Sequence, residues 1–337
     1  MILGNFVIAK RLEDDNLRNE IPDWLKGIAI TLMVYGHVTH IGSASLLQKS
    51  IVDIIYTFHM PIFLIISGFY LNTGRDILLS AVNLGRKLII PYFLFISIYL
   101  IGLILISMIG IHTNNSPPES VINFFEIIFF HPRGAYWFLH SLILLQLSIL
   151  AIRCFLFFLN MKKSILIILV VCIIAIWCQI GLLLPRTAAY FLVGMAMRKF
   201  ANDFPSGFIP GLLLIICIIA LDGLSDIFTF SFMQLAWVFS VMLLLGGLGG
   251  VLSNTKLFKI LIWIGRNSLV ILLLHAIFVV ILKPFGPILL HVESSGFFYS
   301  IFVTGFTLMG AIAFAMFIDI LKISRFIFGT EKIYVKR

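Results

Sequence analysis

Long apolar runs separated by short polar punctuation fill most of the chain. Apolar segments lie at 25–43, 50–72, 88–111, 136–158, 164–184, 187–200, 207–222, 229–251, 262–282 and 296–320. Crossing a hydrocarbon core of about 30 Å takes about 20 apolar helical residues, which most of these segments supply. Segments 187–200 and 207–222 are short by that measure, and 262–282 is interrupted by a polar "GRN" at 265–267. The pattern predicts an all-α polytopic membrane protein with about ten transmembrane helices. Composition agrees: 61% hydrophobic residues, 12% charged and a mean hydropathy of +1.11 leave too few polar side chains to cover a water-soluble globule of 337 residues.

Charge then orients the segments. Placed on ten crossings, seventeen Lys and Arg fall in the termini and alternate loops on one side, and four, Lys49, Arg133, Arg186 and Lys283, on the other. Cytoplasmic loops collect Lys and Arg, so the split predicts an even number of spans with both termini cytoplasmic. The formal charge of +9 is thereby an orientation signal, and no nucleic-acid partner is expected, because the basic residues are scattered between apolar runs. The opening "NFVIAKRLEDDNLRNEIPDW" is charged and reads as a retained segment, not as a cleavable leader. The expected organisation is a cytoplasmic N-terminal segment at 1–24, a membrane domain at 25–320 and a basic cytoplasmic tail at 321–337. The longest loop, about 112–135 with "NNSPPES" inside it, is too short for a folded domain and is expected outside with some irregular structure. Cys154, Cys172, Cys178 and Cys217 sit in apolar runs at spacings that match no metal or redox pattern. His112, His131 and His291 fall in outer loops at separations that do not read as a metal site, so no metal is expected.

Ionisable groups inside the spans carry the candidate chemistry, because such groups are costly in lipid and usually face a bundle interior or a wet cavity. In "DWLKGIAITLMVYGHV", residues 23–38, eleven residues separate Lys26 from His37, three helical turns and about 20° more, so both share one face. Lys26 at the cytoplasmic mouth could equally be a snorkelling anchor, and Asp23 is expected to cap the helix. In "YTFHMPIFLIISGFYL", residues 56–71, His59 precedes Pro61, which frees a backbone carbonyl, while Ser67 and Gly68 admit either a neighbouring helix or a ligand. Arg86 and Lys87 precede Pro91 at the start of the third segment; with Lys26 they make a cationic mouth suited to a phosphorylated cytosolic ligand, or else ordinary anchors. Trp137 at the outer start of the fourth segment is a belt residue or a sugar-stacking platform, and His140 and His275 are packing or functional histidines. Asp222 and Asp226 read as the end of a helix and its turn.

"DWLKGIAITLMVYGHV", "YTFHMPIFLIISGFYL", "GRKLIIPYFLF", "YWFLHSLILL", "AAYFLVGMAMRKF" and "IGRNSLVILLLHAIF" occur in an order that resembles the integral-membrane acyltransferase-3 family, over about residues 20–320. Within it the chain looks like the branch of fucose O-acetylases and bacterial surface-polysaccharide O-acetyltransferases. The resemblance implies a multi-pass protein of the bacterial inner membrane. It implies cytosolic acetyl-CoA as the donor co-substrate, and transfer of the acetyl group to a hydroxyl of a cell-surface glycan or lipid-linked sugar. It implies a catalytic role for His37 and a coenzyme A phosphate role for Lys26 and Arg86, where many members carry arginine in place of Lys26 and an Arg-x-x-Arg-like pattern in place of Arg86 and Lys87. Chemistry is compatible with those roles, since acyl transfer to a hydroxyl needs a base for the hydroxyl proton and positive or hydrogen-bonding groups for the developing oxyanion. His37 and His59 are the candidate catalytic residues, Lys26, Arg86 and Lys87 the donor contacts, and Trp137, His275 and Ser67 the acceptor contacts. Direct transfer and an acyl-histidine relay both remain open. So do two other readings: a secondary transporter or flippase relaying protons through histidines, although no pair of related halves is visible, and an acyltransferase acting on a lipid or small molecule.

Overall fold

A computed structural model describes residues 2–108, 110, 115–160 and 165–335, with side chains excluded at 2–19 and 222. His112, Lys162, Lys163, Lys336 and Arg337, and the side chains of Lys10, Arg11 and Arg18, therefore lie outside the described residues. Regular structure is helical throughout, with no strand among the described residues. In chain order the helices are α1 (Ile2–His37), α2 (Ser45–Phe69), α3 (Ile77–Leu84), α4 (Ile90–Met108), α5 (Val121–Phe129), α6 (Tyr136–Phe158), α7 (Leu166–Gln179) and α8 (Pro185–Phe200). They continue with α9 (Phe208–Asp222), α10 (Phe232–Val251), α11 (Lys256–Arg266), α12 (Ser268–Leu282), α13 (Gly286–Val292), α14 (Phe297–Ile320) and α15 (Ser324–Ile327). Among the described residues, six helical stretches are long and apolar enough to cross a membrane: Ser45–Phe69, Ile77–Met108, Tyr136–Phe158, Phe232–Val251, Ser268–Val292 and Phe297–Ile320. Leu166–Gln179 and Phe208–Leu221 are apolar but shorter.

The outward faces suit lipid. Ile98, Ile101 and Leu105 on α4, and Phe302, Phe306 and Met309 on α14, are exposed apolar side chains in rows that water would not tolerate. The core lies around α1, which packs against α2, α10, α11, α12 and α14. Its Leu25, Ile30, Met33 and Val34 are fully buried. Two close helix contacts set the spacing. Methyl groups added at Gly27 and Gly265 would collide with the Leu261 and Asp23 carbonyls, so α1 and α11 touch backbone to backbone. Gly68 of α2 and Gly194 of α8 meet the Phe191 and Ile65 carbonyls in the same way. Small residues at such crossings are how helices associate where lipid removes the usual apolar driving force.

Departures from the sequence pattern are local and have visible causes. The first apolar segment stops being helix at His37 instead of continuing to residue 43. The chain turns at Gly42 (φ +92°) and is tied to the loop before α14, the amides of Ser43 and Ala44 donating to the carbonyls of Ser294 and Ser295 at 3.0 and 3.1 Å. Gln48 of α2 fastens this corner, its Oε1 accepting from Ser300 Oγ of α14 at 2.7 Å. The segment at 262–282 divides at Asn267, whose side chain donates to the Trp263 carbonyl at 2.8 Å; the polar "GRN" is the joint between amphipathic α11 and apolar α12. Within the loop at 112–135 a short helix, α5, is capped by Ser120 and held by Tyr92, whose hydroxyl donates to the Ile128 carbonyl at 2.6 Å. Asp23 caps nothing. It lies inside α1, because the helix begins well upstream, and it ion-pairs with Lys26 at 2.6 Å and with Arg266 of α11 at 3.1 Å. We call this end of the bundle, where Arg266 also reaches Glu20 at 3.2 Å, the basic end, and the opposite end the histidine end.

Candidate functional site

Three histidines from three helices meet where α1 stops. His37 is the last residue of α1, and its ring centroid lies 5.1 Å from that of His275, midway along α12. On its other side the Tyr56 ring of α2 stands at 6.2 Å, and Tyr56 in turn lies 5.1 Å from His59. The Tyr56 hydroxyl donates to the Gly36 carbonyl at 2.8 Å. That carbonyl belongs to the last turn of α1, where helix geometry supplies no backbone partner, so the bond both satisfies it and fixes the helix end against α2.

Two of the histidines are held rigidly. His59 Nδ1 lies 2.8 Å from the Ile55 carbonyl and His275 Nδ1 lies 2.8 Å from the Leu272 carbonyl. A carbonyl only accepts, so each Nδ1 carries the proton and each Nε2 keeps its lone pair. Both rings are buried. His37 differs on each count, for its side chain is exposed and its ring nitrogens take no hydrogen bond from other described residues. Next to it, Pro61 has no N–H for the carbonyl of Thr57 four residues earlier, which is thereby left without its helical donor. The Thr57 hydroxyl is occupied, donating to the Ile54 carbonyl at 2.7 Å and accepting from Trp237 Nε1 at 2.8 Å.

His37 is exposed because it borders two cavities. The first, about 260 Å³, is lined by His37, Tyr56, Thr57, His59, Pro61, Trp137, Arg186, Tyr190 and Gln234, with apolar walls from Met33, Met60 and Leu64. An adjoining cavity of about 600 Å³, which His37 does not line, shares Tyr56, Thr57, Arg186 and Gln234 with the first and adds Ser50, Asp53 and Phe228. Its new residues come from the first turns of α2 and the segment before α10, so the pair leads from His37 toward the histidine end. On the opposite face of His37, a cavity of about 90 Å³ is lined by His275, Thr39, Tyr99, Asn115, Gly134 and Lys283. Apolar walls with a few convergent polar groups are the usual make-up of a small-molecule site. Among the described residues no three His, Cys, Asp or Glu side chains are grouped to hold a metal ion.

The structure therefore brings His37, His59, Trp137 and His275 together around the end of α1. It does not bring the other sequence candidates there. Ser67 lies eight residues along α2 from His59, beside the α2–α8 contact at Gly68. Lys26 is held in its ion pair with Asp23. Arg86 and Lys87 are exposed on a π-helical turn, Gly85–Ile89, between α3 and α4, and the Arg86 side chain packs against Gly329. None of these three cavities is lined by these four residues. His140 is spent on structure, its Nε2 donating to the Phe129 carbonyl at 2.9 Å.

Several lining residues escaped the sequence reading. Tyr56, Gln234 and Tyr190 look like ordinary residues of apolar helices; the last two are joined, the Tyr190 hydroxyl donating to Gln234 Oε1 at 3.0 Å. Asp53 is simply one acid in a polar helix start. Arg186 did leave a signal, as a cation directly after Pro185 on the side of the chain where basic residues are scarce, but it was counted only toward topology. Chemically the assembly offers an imidazole with unengaged nitrogens, a guanidinium in the same cavity, and space on both sides.

Compared with known families, residues 19–316 match the acyltransferase domain model of acyltransferase-3. Searches of curated proteins and of solved structures gave no significant match.

Proposed function

This chain belongs to the acyltransferase-3 family of membrane acyltransferases, and from that premise we propose that it moves an acetyl group from acetyl-CoA to a hydroxyl of a cell-surface polysaccharide or lipid-linked sugar. The observation that carries the reading is His37, a ring with no hydrogen bond to any described residue at the junction of two cavities. In the step we infer, the acceptor hydroxyl oxygen attacks the thioester carbonyl while His37 takes the hydroxyl proton. The C–S bond then breaks, and the proton passes from the imidazolium to the departing thiolate. His37 serves as base and then as acid and ends unchanged, the proton having moved from the acceptor hydroxyl to the coenzyme A thiol. His275 and His59, each with Nδ1–H committed to the backbone, hold the imidazole cluster in place. Arg186 gives the same cavity a positive group on the acceptor side.

The wider setting belongs to the same proposal. Ten crossings with both termini cytoplasmic in a bacterial inner membrane would put the histidine end outside and the basic end toward cytosolic coenzyme A, where Arg86 and Lys87 are exposed to meet its phosphates. Lys26, neutralised by Asp23, would contribute less.

The test uses the full chain purified in detergent. Consumption of acetyl-CoA in the presence of a glycan acceptor supports the reading, and its loss in His37→Ala with an unchanged melting profile assigns the chemistry. Absence of any acetyl-CoA consumption or coenzyme A binding by the wild type would turn the reading toward a transporter. In cells, removing the gene should erase an O-acetyl methyl signal from the proton NMR spectrum of the envelope polysaccharide.

A further inference from the structure

Basic residues on the histidine end are few, and each costs something to place there, so what they touch is informative. Arg133 is satisfied by the chain itself, donating to Ser116 and to the Pro117 carbonyl. At the basic end the same holds of Lys26 and Arg266, paired with Asp23 and Glu20, and of Arg198, which lies over the Phe69 ring at 5.2 Å. Arg186 forms no hydrogen bond or ion pair with any described residue, is exposed, and lines both cavities on the α2 side of His37. Since those cavities share Arg186, its side chain stands where the inner chamber with His37, His59 and Trp137 passes into the wider outer one. Asp53 lines only the outer chamber and makes no ion pair with Arg186. The chamber is thus graded, its positive group toward the reacting centre and its negative group farther out.

A guanidinium left unpaired beside a reacting centre, with apolar and aromatic walls around it, is suited to a planar or tetrahedral oxyanion, which its fork of N–H donors binds in pairs. We propose that the acceptor is an acidic glycan, whose carboxylate or phosphate Arg186 holds at the junction of the two chambers. Trp137 then lies along the sugar face, and Asp53 accepts hydroxyl hydrogen bonds farther out. The acceptor role rests on the acyltransferase reading above, and the anion site itself does not. Two sources share the chemistry, a uronic acid in the glycan and the phosphate that links a sugar to its lipid carrier, and different probes separate them.

The experiment is calorimetric titration of the full chain in nanodiscs with methyl glucuronide, glucose 1-phosphate and methyl glucoside, at low and at raised salt. At least one acidic probe should bind about tenfold or more tighter than the neutral glucoside, with the advantage shrinking as salt screens the pair. Arg186→Gln should bring the acidic probes down to the glucoside's affinity and leave the glucoside unchanged, while Arg186→Lys keeps part of the preference. Preference for the glucuronide alone identifies a sugar carboxylate, and for glucose 1-phosphate alone a sugar–phosphate linkage. Equal binding of all three probes, no binding of either acidic probe, or a preference that survives Arg186→Gln overturns the proposal. Acetyl-CoA consumption, measured on the same preparation, separates the two ideas. An acidic preference without consumption sinks the acetyl transfer and leaves the anion site, whereas consumption without the preference does the reverse.

Discussion

The two ends of this bundle treat charge and space in opposite ways. At the basic end Asp23, Lys26, Glu20 and Arg266 join α1 to α11 in one ion-pair group, and glycines let the same two helices touch backbone to backbone. Asp319 of α14 binds the chain's last described segment, accepting from the amides of Ile333 and Tyr334, each at 2.9 Å, and from Ser324. At the histidine end α1 stops, His59 and His275 gather around its last residue, His37, cavities open beside them, and Arg186 and Asp53 have no hydrogen-bond or ion-pair partner among the described residues. One end is closed by matched groups, and the other withholds the matches a ligand would supply. Substitutions should separate accordingly, with fold and assembly at the basic end and turnover at the other.

Loss of His37 should have the largest effect. A positioned general base contributes about 100- to 10,000-fold to rate, so His37→Gln should lower acetyl transfer by that order in a coupled thiol-release assay. Its melting temperature should stay unchanged, because the ring forms no hydrogen bond whose loss the fold would feel. A variant that melts early would move His37 to the structural side of the comparison.

Gly265→Ala should do the reverse. The added methyl would meet the Asp23 carbonyl, and neither backbone can yield without separating α11 from α1. Overpacking of this kind costs about 1–3 kcal/mol or more, so folded protein recovered from detergent should fall sharply by size-exclusion chromatography. Whatever folds should retain its turnover per molecule. Turnover lost in step with His37→Gln would mean that the two ends are not separable.

How far the sequence reached follows the same division. Periodicity and charge gave an all-helical membrane chain and the positions of its long apolar runs, because those depend on residues near one another. His37 and His59 stood out because an ionisable group in an apolar run is anomalous by itself. The stop of α1 at His37 was not visible, since it depends on backbone bonds from Ser43 and Ala44 to residues 294 and 295, far along the chain. Nor was the role of Asp23, which takes its second partner from Arg266 on another helix. Arg186 was seen as a charge but not as part of a cavity, because α1, α2, α6, α8 and α10 build that cavity together.

A smaller effect tests whether the ion-pair group at the basic end is a unit. Asp23 and Arg266 are each about a quarter to a third exposed, at 23% and 32%, so solvent screening leaves their pair with about 1 kcal/mol or less. Asp23→Asn and Arg266→Gln should each lower stability slightly, and the double variant should lose less than the two losses added, by thermal melting in a double-mutant cycle. Strict additivity would show that the pair contributes nothing. Asp23→Asn also frees Lys26, so tighter coenzyme A binding in this variant would place Lys26 among the donor contacts.

The smallest effect belongs to the corner before α14, outside the spans. Glu293 is part-exposed, and Ser295 and the backbone amide of Phe298 hydrogen-bond to it and hold its carboxyl below the usual range. A carboxylate depressed in the folded state adds stability above its unfolded pKa, and that share is lost as pH falls through the folded value. At neutral pH wild type should therefore melt slightly above Glu293→Gln, which has no such group to titrate, and on acidification below about pH 4 that margin should close. Because this corner carries the ties that end α1 at His37, a change in turnover accompanying the loss of that margin would show that the loop positions the imidazole. Constant turnover would confine its role to holding α14.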